Sequence, residues 1–143
     1  MMPHHVADVE RDWRRALVAI VGGVLIVVGA RLPWMSLFAG LQRYPGLDGP
    51  YGRLTFVAGG VSVVGGIMLL LRPNDRFRIG VGGLGVALAV FTCWLLLGLR
   101  STTRELGQHP LLLARPGPGL FVVLAGALIV AALLLPTRRR RRI

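Results

Sequence analysis

Apolar residues run through the chain in four long blocks, with arginine, proline and glycine gathered between them. The first block, Ala16 to Trp34, has nineteen residues. As a helix it covers about 28 Å, close to the roughly 30 Å hydrocarbon core of a bilayer. Leu54 to Leu71, Ile79 to Leu99 and Gly117 to Leu135 form three further blocks of eighteen, twenty-one and nineteen residues. Each can span. The pattern therefore predicts an all-α polytopic membrane protein, a four-transmembrane-helix bundle over residues 16–136. A polar leader over 1–15 precedes it, and a basic tail over 137–143 follows. Pro33, Pro73 and Pro136 close three of the blocks, because a proline ring clashes with the preceding turn and offers no N–H.

The first block also has features of a signal peptide, since Arg14 and Arg15 precede it and Val28-Gly29-Ala30 resembles a small-residue cleavage site. Its continuation as Leu32-Pro33-Trp34-Met35 argues for a retained span, with Trp34 anchored at the far interface. The leader carries Trp13 among acidic and basic residues, a composition that suits an interfacial helix. The segment from Ser36 to Arg53 holds Pro45-Gly46, Asp48-Gly49-Pro50 and Gly52. Restricted proline φ and permissive glycine φ predict tight turns and an ordered loop. Arg72 to Arg78 is expected to be a compact charged turn. Between the third and fourth blocks, Thr102 to Glu105 has capping-box spacing, and Leu111-Leu112-Leu113 is expected at the membrane surface or against the first loop.

Composition supports one membrane domain, because 54% apolar residues in 143 is too much for a soluble domain of this size. All seventeen basic residues are arginine and the formal charge is +11, a balance that can signal nucleic acid. With the arginines set between apolar blocks and no soluble fold to carry a basic groove, they read as topology anchors, and nucleic-acid binding is not expected. The leader, the Arg72 to Arg78 turn and the tail hold eleven arginines; the other two loops hold five, or six with Arg31. The positive-inside rule then places both termini in the cytoplasm of a multi-pass plasma-membrane protein. Arg138, Arg139, Arg140, Arg141 and Arg142 follow the last block directly and are expected to anchor to anionic lipid headgroups on that side.

In the second block Ala58, Ser62 and Gly66 recur every four residues, giving a nearly flat face that lets another backbone approach. Gly83 with Ala87 and Gly85 with Ala89 offer similar faces in the third, and Ala127 with Ala131 in the fourth. Packing within the bundle or between two copies would both use such faces. The halves also share features: Gly22-Gly23 stands before Trp34 as Gly82-Gly83 stands before Trp94, at equal separation, and Ala58-Gly59 matches Ala125-Gly126. Two hairpins related as a parallel repeat would produce this.

Little residue chemistry remains. Arg31 is the one ionisable residue inside a predicted span, where desolvation obliges it to find a phosphate or a partner. It can snorkel to headgroups. It can instead pair with Asp48 in one polar cap with Trp34, Tyr44 and Tyr51. Cys93 is the lone cysteine, and His4, His5 and His109 show no metal-ligand spacing. The glycines at the start of the third block lack the strand and soluble βαβ context of a dinucleotide site. No nucleophile, base or acid pair forms a constellation, so no enzymatic activity and no cofactor is expected.

Pro33-Trp34 at the end of the first block, the Gly46-Leu47-Asp48-Gly49 turn entering the second and Gly117-Pro118-Gly119-Leu120 entering the fourth accompany an all-arginine basic set. In this pattern the chain resembles the small four-helix membrane proteins of high-GC actinobacteria often labelled tryptophan-associated. That resemblance implies a fold and no activity. The expected function is a non-enzymatic accessory or scaffolding subunit that binds another membrane or envelope protein. A small transporter or lipid-handling protein, with its site between the two hairpins, is the alternative.

Overall fold

The computed structural model describes residues 4–37, 42–72, 74–105 and 115–135. The Arg138 to Arg142 tail, His109 and the Leu111 to Leu113 patch lie outside these. Four helices follow in order: α1 (His4–Arg31), α2 (Pro50–Leu71), α3 (Asp75–Glu105) and α4 (Pro118–Ala131), the last continued by a 3-10 turn over Ala132–Leu134. Three of them, α1, α2 and α3, are long and apolar enough to cross a membrane. The fourth is apolar but shorter: with its 3-10 turn it covers about 27 Å.

Helix starts follow from local chemistry. Gly49 and Gly117 are extended N-caps, each followed by a proline at the first helical position, where the missing N–H is no loss and the fixed φ suits a helix. Asn74 caps α3 by accepting a hydrogen bond from the Arg76 backbone N–H at 3.1 Å through its Oδ1. Because that cap lies five residues before the apolar block begins at Ile79, Arg76 and Arg78 are helical rather than part of a charged turn.

The outside of the bundle is as apolar as its interior. Small residues share the middle with Ile26, Leu88, Leu120, Val123 and Val130, while Val21, Val28, Leu54, Val61, Val90 and Leu128 are exposed along the outside. A surface of this kind belongs in hydrocarbon, where helices associate through close backbone contact instead of the hydrophobic effect. On α1, Gly22 faces Gly126 of α4, and seven residues later Gly29 faces Gly119. A Cβ on Gly126 would stand 2.7 Å from the Gly22 carbonyl oxygen, and one on Gly29 would stand 3.0 Å from that of Gly119. The opposite side of α1 takes α2 in the same way, with Gly23 against Gly59 and Ile20 against Gly66.

The α2 residues Ala58, Ser62 and Gly66 differ in burial. Ser62 and Gly66 are buried and Ala58 is half-buried. The Gly83 and Ala87 face is not a packing face: both are exposed, and a Cβ on Gly83 would meet open space. α3 turns Gly85 toward α4 and Gly82 toward Leu134 in the 3-10 turn that continues it.

The parallel repeat also fails in detail. A two-fold relation would make α3 with α2 equivalent to α1 with α4, yet α1–α4 is closely packed and α2–α3 is splayed. Trp34 is half-buried against the core, whereas its counterpart Trp94 is 62% exposed.

One feature at the α1–α2 connection departs from the turns expected there. A three-stranded antiparallel sheet, β1 (Pro33–Leu37), β2 (Gln42–Pro45) and β3 (Arg115–Pro116), has the order β2-β1-β3. It closes the end of the bundle where α1 and α3 finish and α2 and α4 begin, tying the two hairpins together. The other end carries the α2–α3 connection with Arg72, Arg76 and Arg78.

Candidate functional site

At the sheet end, α1 stops at Arg31 and leaves carbonyls to be satisfied. The Leu32 N–H takes the Val28 carbonyl at 3.2 Å, and the Trp34 indole Nε1 donates to the Gly29 carbonyl at 3.0 Å. Trp34 thus folds back as a side-chain cap on α1. Space for its ring comes from two glycines: a Cβ on Gly46 would overlap the indole, and one on Gly119 would stand 2.8 Å from Cδ1. The Trp34 carbonyl accepts from the Gly117 N–H at 2.7 Å, and the Leu32 carbonyl accepts from the Gly46 N–H at 3.2 Å. One tryptophan therefore joins the ends of α1 and α4 and the turn before α2.

That turn is a 3-10 helix over Gly46–Asp48. Its glycines provide space rather than unusual φ. Gly49 is extended, at φ −100° and ψ 157°, and a Cβ on Gly52 would overlap the Gly46 carbonyl. Arg53 fixes the turn from below, its Nε donating to the Leu47 carbonyl at 3.2 Å.

Trp34, Tyr44, Asp48 and Tyr51 then line one pocket of about 580 Å³, closed beneath by Leu95, Leu99 and Leu120. Four of the five expected cap residues meet there. Arg31 does not join them: it forms no ion pair with Asp48, and its guanidinium lies over the Phe56 ring, 5.5 Å from the centroid. A cation over an aromatic face explains how Arg31 sits at the helix end without a carboxylate. Sequence reasoning missed Phe56 and Arg53, because neither contact follows from spacing within one element. Removing the ring by Phe56→Leu should leave the sheet-end pocket unchanged and free Arg31. The expected readout is faster reaction of that arginine with a dicarbonyl reagent, measured by mass spectrometry.

A second concavity lies along α2 and α3, where the bundle is splayed. The helices touch where Val81 seats against Gly65 and where the Tyr51 and Phe91 rings stand 5.7 Å apart. Along this seam run two adjoining cavities of about 440 and 460 Å³ that share Val61 and Leu84. Their lining is apolar except for Arg76 at the end away from the sheet.

Interior hydroxyls offer no polar route. Thr55, Ser62 and Thr92 are buried, and each donates to a carbonyl four residues back, Tyr51, Ala58 and Leu88, at 2.8, 3.0 and 2.7 Å. Among the described residues no group of three histidine, cysteine or acidic side chains could hold a metal ion. No family model, curated protein or solved structure matches the chain.

Proposed function

We propose that this chain is a four-span plasma-membrane protein that works by binding, as a non-enzymatic accessory subunit of an envelope protein complex. The supporting observation is the sheet-end pocket: an apolar floor under a rim of Tyr44, Asp48 and Tyr51, held on a sheet that joins both hairpins. Tyr44 and Tyr51 are about half exposed, at 45% and 52%. Aromatic groups of this kind, fixed around an apolar hollow, are what interface anchors use. Asp48 is the charged group on the rim, so the reading favours a partner segment with an apolar anchor beside a basic residue. The glycine faces that join α1 to α2 and α4 are taken up within the bundle, so this reading places recognition at the sheet end and not at those faces.

A photo-crosslinking residue at Tyr51, compared with one at the exposed Val21, tests the reading in cells. A discrete protein adduct at Tyr51 that Val21 lacks, and that Asp48→Ala weakens, is expected. Lipid adducts alone at both positions would reject it in favour of the lipid-handling alternative, which draws on the α2–α3 seam.

In this reading the sheet end is outside and both termini are cytoplasmic, with the eleven-arginine side inward. Cysteine labelling checks it after Cys93, an exposed thiol, has been replaced by serine. A cysteine at Asp48 should react with an impermeant reagent in whole cells, and one at Asn74 should not. The reverse result would invert the topology.

A further inference from the structure

The α2–α3 seam is a built cavity with a distinct charge at one end. Its two compartments hold about 440 and 460 Å³ and share Val61 and Leu84, so they form one furrow along α3 from Arg76 to Phe91. The walls are valine, leucine, methionine and phenylalanine. In hydrocarbon such a furrow excludes water, because nothing in it can hydrogen-bond, and an empty one forfeits dispersion contacts along both walls. A partner helix does not fit between α2 and α3, since they already touch at Gly65 and Val81. A single flexible chain does fit along the outside of that contact.

The charge at the turn end identifies what the chain belongs to. Arg76 lines the furrow, and Arg72 is exposed one turn of chain away on the same connection. Asp75 is paired with Arg78 at 3.5 Å, and among the described residues neither Arg72 nor Arg76 has an ion pair. The Arg76 guanidinium, lining one end of an apolar furrow, complements a phosphate on an acyl chain, and guanidinium geometry suits phosphate oxygens.

Length agrees as well. One leaflet is about 15 Å deep, or about ten residues of helix, which carries a chain from the level of Arg76 past Leu84 into the second compartment.

We propose that the α2–α3 furrow binds one acyl chain of an anionic phospholipid, with Arg76 holding its phosphate at the arginine-bearing end. The site rests on the bilayer placement and not on the accessory role, so failure of the Tyr51 crosslink leaves it standing. Glycine positions supply a clean test. Gly80 lines the furrow and Gly83 lies outside it, and a Cβ at either meets open space. Gly80→Leu therefore fills the furrow without separating the helices, and Gly83→Leu adds the same side chain elsewhere.

The full chain in mild detergent is titrated with phosphatidylglycerol or phosphatidylcholine and read by native mass spectrometry, with equal melting of the two leucine variants as the fold control. The expected result is a preference for phosphatidylglycerol of about fivefold or more, the scale of one arginine near a charged lipid. That preference is lost in Gly80→Leu and Arg76→Gln, and kept in Gly83→Leu and in the charge-matched tail variant Arg141→Gln. Equal retention by Gly80→Leu and Gly83→Leu overturns the site, as does an equal loss in Arg76→Gln and Arg141→Gln. Arg76→Gln adds little bulk or strain at an exposed position, so it decides the matter even if Gly80→Leu melts early.

Discussion

Ser62→Leu should strongly destabilise the bundle, and Ser62→Ala should hardly affect it. Ser62 is fully buried on the α2 face that meets α1, one turn from Gly59 and one from Gly66, whose missing side chains admit Ile26 and Ile20. A leucine there must push two backbones apart along a contact that exists only because they are close. Overpacking a tight interior typically costs about 1–3 kcal/mol. In lipid no hydrophobic gain offsets the lost contact. The alanine variant removes one hydroxyl that bonds only to its own helix, at the Ala58 carbonyl 3.0 Å away. A bond of that kind contributes about 1 kcal/mol or less. Thermal melting in detergent reads both. Equal melting of the two variants would show that α1 and α2 do not depend on close approach.

The same helix shows where sequence information stops. Apolar block length located the middles of α2 and α3, because hydropathy over a span is a sum and small errors cancel, but both helices start before their blocks and α3 runs on to Glu105. Which member of a glycine pair faces a neighbour depends on rotation about the helix axis, and that is set by partners far along the chain. Gly22 and Gly23 are both used, on opposite sides of α1. Of Gly82 and Gly83 only the first is used, because α3 has one close neighbour and an open seam on its other side. An every-fourth-residue pattern cannot distinguish these cases. The sheet was harder still to foresee. β1 and β2 each contain a proline, β2 has no apolar alternation, and β3 is two residues long. Its strands exist because Met35 and Ser36 pair with Pro116 and Arg115 across most of the chain. Of the cap, the aromatic residues and Asp48 could be read from composition, since they are the polar and aromatic groups left after the spans are assigned. The partner of Arg31 could not, because Phe56 reads as span filling.

Trp34→Ala should cause the largest loss of any single change at the sheet end. The indole occupies space that Gly46 and Gly119 leave for it, and it packs on the buried core. Truncating a fully buried tryptophan typically costs about 3–5 kcal/mol, because rigid surroundings cannot close over the cavity; Trp34 is half-buried, so the lower part of that range is expected. Here the surroundings are the ends of α1 and α4 and the turn before α2, which cannot collapse without breaking the Gly117 and Gly46 backbone bonds. Trp34→Phe separates the two contributions. It keeps most of the ring but removes the Nε1 donor, leaving the Gly29 carbonyl without the partner now at 3.0 Å, at a cost of about 1–3 kcal/mol. The order of melting temperatures should therefore be wild type, phenylalanine, alanine. Because the sheet depends on Trp34 more than the helices do, limited proteolysis should cut the alanine variant first at the sheet end, while the membrane-protected helices persist. An interfacial anchor would behave differently. Trp34→Phe would then be close to neutral, and cleavage at the sheet end would not change, so the phenylalanine variant decides between a tryptophan that holds the cap together and one that merely rests at the membrane surface.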